Sequence, residues 1–167
     1  KIRHENKPTK DFVEAGSKLY KHNEDFNGEE QEGIGFYQTT QKDGKRCSTA
    51  KAYLVPALDR PNLTVITEAN VNKILIDNQK ASGVEYIDAE GQSHILSASK
   101  EVLLCSGAFG SPQILLRSGV GPKEEIAKHG IEHKVDLPGV GKNLQDHIDY
   151  LTVHKYNSMQ FIGTSIK

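Results

Sequence analysis

From residue 63 onward the apolar positions follow a strand-like rhythm. Leu63 to Thr67 is a β-branched run, and Val71 to Asp77 alternates, with Ile74 and Ile76 on one face and Leu75 on the other. Asn78-Gln79-Lys80 reads as a turn, Gly83 to Ile87 as a second strand, Asp88-Ala89-Glu90-Gly91 as another turn, and Ser93 to Ala98 as a third strand. Three short strands joined by tight polar turns predict an antiparallel meander. Val102 to Cys105 breaks the alternation. A continuous apolar run predicts a strand covered on both faces in a parallel sheet, with Cys105 as a small buried residue. Ser111-Pro112 then predicts a helix start, because serine caps and proline suits the first helical position. Ile114, Leu115 and Leu116 form its packing face, and Gly119 stops it. Pro122, Glu124 and Glu125 open a further helix that ends at Lys128, His129 and Gly130, a charge order that suits the helix dipole.

The N-terminal third is more polar. Lys7 to Lys21 can hold a helix with Pro8 near its start and Phe12, Leu19 and Tyr20 as a thin apolar stripe. Asn23 to Gly33 reads as a loop, and Ile34 to Cys47 as a short strand broken by a turn at Asp43-Gly44. Ser48 or Thr49 can cap a helix through Ala50, Ala52, Tyr53 and Leu54 until Pro56 and Pro61 interfere. The pattern as a whole is mixed α/β.

Composition narrows the choice of partners. The 167 residues carry 21 Lys and Arg against 22 Asp and Glu, a net charge of -1, so there is no basic footprint for nucleic acid or an anionic membrane. Only 36% of residues are hydrophobic and Trp is absent. A chain of this length can still bury roughly two thirds of its unfolded surface. Cys47 and Cys105 are two thiols in a chain too large to need a staple, which favours a reduced, cytoplasmic setting. No apolar run approaches the length of a membrane span, and no signal-peptide pattern opens the chain.

Seven of the 15 glycines and three of the six prolines fall between Gly107 and Gly141, which marks this stretch for inspection. Glycine lets backbone approach a ligand closely, but it also makes ordinary turns. Gly119/Gly121 and Gly139/Gly141 lack a third glycine at the spacing of the dinucleotide fingerprint, and Gly141-Lys142 lacks the rest of a phosphate-binding loop. His129 and His133 are four apart with Gly130 between them, which breaks a shared metal-binding face. Asp146-His147 with Asp149 offers either general-base chemistry or a hydrogen-bonded hinge. Ser48, Ser106 and Ser111 have no nucleophile-elbow context.

Four stretches together resemble the glucose–methanol–choline (GMC) oxidoreductase family. Gly107-Ala108-Phe109-Gly110-Ser111-Pro112-Gln113-Ile114-Leu115-Leu116-Arg117-Ser118-Gly119-Val120-Gly121 is similar to its second signature, and Leu137 to His147 to the segment after it. Gly44 to Leu54 and Arg60 to Val65 match upstream, in the family's order. The resemblance covers residues 25 to 150 and leans toward choline dehydrogenase and acceptor-dependent alcohol dehydrogenases.

The resemblance implies an FAD enzyme that oxidises an alcohol by hydride transfer to the flavin. It implies that residues 34–147 are part of an FAD-binding, Rossmann-like domain, preceded by a polar helix and connector over 1–33 and followed over 148–167 by the start of a substrate domain. On this comparison the chain is an internal fragment. Family members carry a Gly-x-Gly-x-x-Gly site nearer the N-terminus and a catalytic His nearer the C-terminus, and neither is matched here. Cofactor contacts are implied for Val71, whose backbone would meet the adenine, and for Ser106 and Gly107, where the turn passes close to the dinucleotide. No catalytic or metal-binding residue is implied. The chain alone is expected to be catalytically inert, to bind FAD weakly or not at all, and to self-associate. The substrate of the whole enzyme would be choline or a longer aliphatic alcohol, and a membrane-peripheral location is compatible with this class. A non-catalytic binding module of flavoprotein ancestry and an unrelated interaction domain are the competing readings.

Overall fold

The structure is a computed structural model that describes residues 6–152. Two compact units emerge: the first takes the described residues up to Thr64 and from Tyr150, and the second is Val65–Asp149. Most of the expected substrate-domain start, 148–167, lies outside the described residues.

In the first unit, helix α1 spans Lys7–Gly16. Asn6 caps it, its side-chain carbonyl accepting from the Thr9 amide at 2.9 Å, and Pro8 sits in the first turn, where its missing N–H costs nothing. The helix is five residues shorter than the sequence pattern predicts. Val13 is its buried residue, whereas Phe12, Leu19 and Tyr20 are exposed. The predicted strand at Ile34 is reduced to one parallel bridge with His22. A miniature hairpin follows, β1 (Gln41–Lys42) with β2 (Lys45–Arg46), closed by Asp43-Gly44 with both residues at positive φ, as tight hairpins require. The helical stretch after Ser48 is irregular, a wide turn over Ala50–Leu54 and a tight one over Val55–Ala57 that contains Pro56.

The second unit contains the meander, in order β3 (Asn70–Asp77), β4 (Lys80–Ile87) and β5 (Ser93–Ser97). The first turn is tighter than its sequence suggests. Asn78 and Gln79 both take positive φ, so β4 begins at Lys80 and not at Gly83. Helix α2 (Gly107–Arg117) packs on β3. A short β6 (Val120–Gly121) then pairs in parallel with β7 (Val135–Asp136), with helix α3 (Lys123–Ala127) between them in sequence. Ile74, Ile114, Val120 and Ile126 supply the buried core.

Three expectations need correction. Val102 to Cys105 forms no strand and is unpaired among the described residues, Leu103 is 77% exposed, and Cys105 is exposed. A parallel strand exists only beside a partner, and no described residue pairs with this segment. Leu63 to Thr67 likewise forms no strand, and Val65 and Ile66 are exposed. Helix α2 starts five residues before Pro112, so the proline lies inside it. The hydroxyl of Ser111 accepts the Ser106 amide at 3.0 Å, which satisfies one of the first-turn donors from within the helix.

Candidate functional site

Helix α2 links the residues singled out from the sequence. At its start, Ser106 and Gly107 are exposed, and Ser106 makes no side-chain cap. Gly107 has φ +78, which only glycine adopts freely, and the position of its missing side chain faces open space. Backbone at this turn is therefore accessible to a close-lying group.

The other end of α2 is fixed on β3. Ser118 is 4% exposed; its hydroxyl accepts the Ile74 amide at 2.8 Å and donates to the Ile114 carbonyl at 2.6 Å. Arg117 donates to the side-chain carbonyl of Asn72. Gly119 follows at φ +82, and its carbonyl accepts the Lys134 amide at 2.8 Å, which starts the β6–β7 pairing. Gly107 and Arg117 are the two ends of this 11-residue helix, about 15 Å apart. No hydrogen bond among the described residues joins Val71 to Ser106 or Gly107; one rigid helix relates them.

Val71 is half-buried, opposite Tyr86 on β4. Strand β3 is a sheet edge, and a groove along it is lined by Asn72, Lys73, Ile74, Arg117, Ser118 and Lys134. Glu85 accepts from Asn72, and Lys73 lies 3.3 Å away; together they hold its carboxyl below the usual glutamate range. On the far hairpin, His94 stacks on Tyr86 and bonds Asp88 at 2.6 Å, and with the Gln92 amide this lowers the Asp88 carboxyl.

Other chemistry suggested by the sequence is not assembled. His133 lies 3.3 Å from the Gly121 carbonyl and 3.8 Å from Asp136, without His129. No group of three metal-ligating side chains occurs among the described residues. Asp146, His147 and Asp149 are exposed, and among the described residues Asp146 bonds only the next amide. Lys142 pairs with Glu125 in the first turn of α3 and lowers its carboxyl. In the first unit, Thr49, Ala50, Tyr53 and Leu54 line one concavity with Arg60 and Leu63, so the two upstream motifs converge in space. Sequence reasoning missed Arg117 and Ser118, although both sit inside the quoted motif; the available signal was a hydroxyl immediately before the helix-stopping Gly119.

A meander whose edge strand is bonded to a glycine-led helix is a mixed α/β arrangement. Comparison with known proteins makes the class specific. The sequence model of the GMC oxidoreductase family matches residues 1–149, and the chain belongs to that family. It is 48% identical over 159 residues to an alcohol dehydrogenase [acceptor] of Pseudomonas putida, covering 94% of this chain and 29% of that protein. It is 44% identical over 140 residues to an oxygen-dependent choline dehydrogenase of Rhizobium meliloti (strain 1021), covering 83% and 25%. Among solved structures, pyridoxine 4-oxidase from Mesorbium loti superposes with TM-score 0.70 at 32% identity, over 85% of this chain and 28% of that one. The chain thus spans less than a third of the length of these relatives. No helix among the described residues is long and apolar enough to cross a membrane.

Proposed function

We propose that this chain forms part of the FAD-binding region of a GMC-type oxidoreductase whose substrate is a primary alcohol, choline or a longer aliphatic one. The observation that carries the reading is Gly107, with positive φ and open space before it, at the head of a helix whose other end is bonded to the edge strand. The Ser106–Gly107 backbone would lie against the dinucleotide, and the Val71 backbone would offer its donor and acceptor to the adenine edge. FAD, when bound, supplies the hydride acceptor for alcohol oxidation. The residues of this chain bind and orient; none of them is assigned the substrate proton.

FAD titration followed by flavin fluorescence tests the cofactor assignment. Weak binding by the chain, abolished in Gly107→Val, supports it, and equal affinity in the variant overturns it. Adding choline or a primary alcohol to the FAD-loaded chain is expected to leave the flavin oxidised; bleaching with turnover would show that a proton acceptor lies within it. Leu103 and Phe109, each 77% exposed in the second unit, favour self-association, and a monomer by light scattering at high concentration would refute that.

A further inference from the structure

We propose that Arg117 is a positioning residue for the nucleotide-facing edge of β3: through Asn72 and Glu85 it holds a bulge that turns the Val71 backbone outward. The inference rests on the adenine-edge reading of Val71 given above.

The register shows the bulge directly. Val71 faces Tyr86 and Lys73 faces Glu85, which leaves Asn72 as an extra residue with no partner of its own. Along β3 the Ile76 carbonyl accepts from Lys134 at 3.1 Å and the Ile74 amide donates to Ser118 at 2.8 Å, so both residues turn away from β4. Outward groups recur at every second residue of a strand, and an unbroken β3 would next turn Asn72 outward. The extra residue shifts the phase by one and brings Val71 to the free edge instead. Without the bulge, the Val71 amide and carbonyl would be spent on β4.

A bulge interrupts the ladder and leaves its extra residue unpaired, where side chains can hold it. Neighbouring residues of a regular strand point to opposite faces, yet Asn72 and Lys73 both reach Glu85. Arg117 donates to the free end of the Asn72 amide group, which is then held between a cation and a carboxylate. Arg117 and Ser118 are consecutive and fasten β3 on either side of Lys73. The helix that presents Gly107 therefore also sets the geometry at Val71.

The test compares wild type with Arg117→Met, Arg117→Lys and Asn72→Leu. Amide hydrogen exchange at Asn72 and Lys73 is expected to quicken about tenfold in Arg117→Met, the effect of losing one hydrogen bond to a charged group, while Val84 and Leu96 keep their rates. ADP, the adenine half of the cofactor, is then titrated at millimolar concentration with the Val71 amide resonance as readout. Its Kd should rise about tenfold in Arg117→Met and Asn72→Leu, with partial rescue in Arg117→Lys. Unchanged exchange at the bulge overturns the inference whatever the nucleotide does, and so does loosening of the whole sheet. Faster exchange with unchanged ADP affinity overturns it as well. Faster exchange with no ADP response at Val71 in wild type refutes the adenine-edge reading and the inference with it, although the clamp itself would then have been seen. If Arg117→Met does not fold, Arg117→Lys and Asn72→Leu carry the same comparison.

Discussion

In Val65–Asp149, side chains from separate stretches of chain close on one another: Ile74 from β3, Ile114 and Ser118 from α2 and its end, Val120 from β6 and Ile126 from α3. Up to Thr64, Val13 alone is buried among the described residues, and order there comes from local hydrogen bonds. Asn6 caps α1, Ser17 donates to the Val13 carbonyl, and the Asn23 amide group donates to the Glu30 and Glu32 carbonyls. One unit is held by a core of residues distant in sequence, and the other mostly by bonds between near neighbours, with Ile34 reaching back to His22 as its longer link. A long-range core transmits a single defect to every element that shares it, whereas a chain of local bonds confines the defect to its own turn.

The sharpest way to break this comparison is Gly119→Ala. A Cβ there would meet the Glu132 backbone carbonyl at φ +82, where alanine is already strained. Strain and overpacking together are expected to cost about 3 kcal/mol or more. Urea unfolding should show the second unit losing its transition while α1 keeps its helical signal. A midpoint like that of wild type would mean that β6–β7 pairing is dispensable to the core.

Ser118→Ala is the next largest. It removes the acceptor of a buried amide, Ile74, and leaves that N–H without a partner. The expected loss is about 1–3 kcal/mol, the desolvation penalty of an orphaned donor. The same urea titration reads it, and a loss well under 1 kcal/mol would show that water replaces the hydroxyl.

These two residues also mark where sequence reading stops. The meander was legible because its apolar alternation and polar turns are local signals, and the GMC resemblance was legible because four motifs occur in order. Val102 to Cys105 is less legible, because a continuous apolar run says that a strand could be covered, and says nothing of whether a partner is present. The start of α2 was misread because Ser111 satisfies an amide five residues before it, inside a helix that a positive-φ glycine opens. Gly107 could be chosen from the motif, but the link from Ser118 to Ile74 joins residues 44 apart. No local pattern encodes a bond of that range.

Acid sharpens the contrast by acting on charge alone. Asn72 first, and then Lys73, lower the Glu85 carboxyl below its unfolded value, so the folded state holds that proton less tightly. Its contribution is complete above the unfolded value of about 4.3 and is lost as pH falls through the lower folded value. Asp88, lowered by His94, behaves in the same sense. The urea midpoint of the second unit should therefore begin to fall as pH drops below the unfolded carboxylate values of about 4, and Glu85→Gln should flatten that limb. An unchanged acid limb in Glu85→Gln would place the sensitivity elsewhere.

The smallest effect belongs to the first unit and tests whether its bonds are as local as they look. Asn6→Ala removes the oxygen that accepts both the amide and the hydroxyl of Thr9. Loss of such a cap costs about 1 kcal/mol. Because Val13 is the one buried anchor of α1, the helix has little tertiary support to spread that cost, and fraying should be confined to its first turns. Hydrogen exchange should quicken at the amides between Lys10 and Val13, with those after Gly16 unchanged. If protection were lost as far as the Asn23 and Ile34 amides, which close the loop by bonding the Ile34 and Lys21 carbonyls, the first unit would be cooperative after all, and the contrast drawn above would be one of degree.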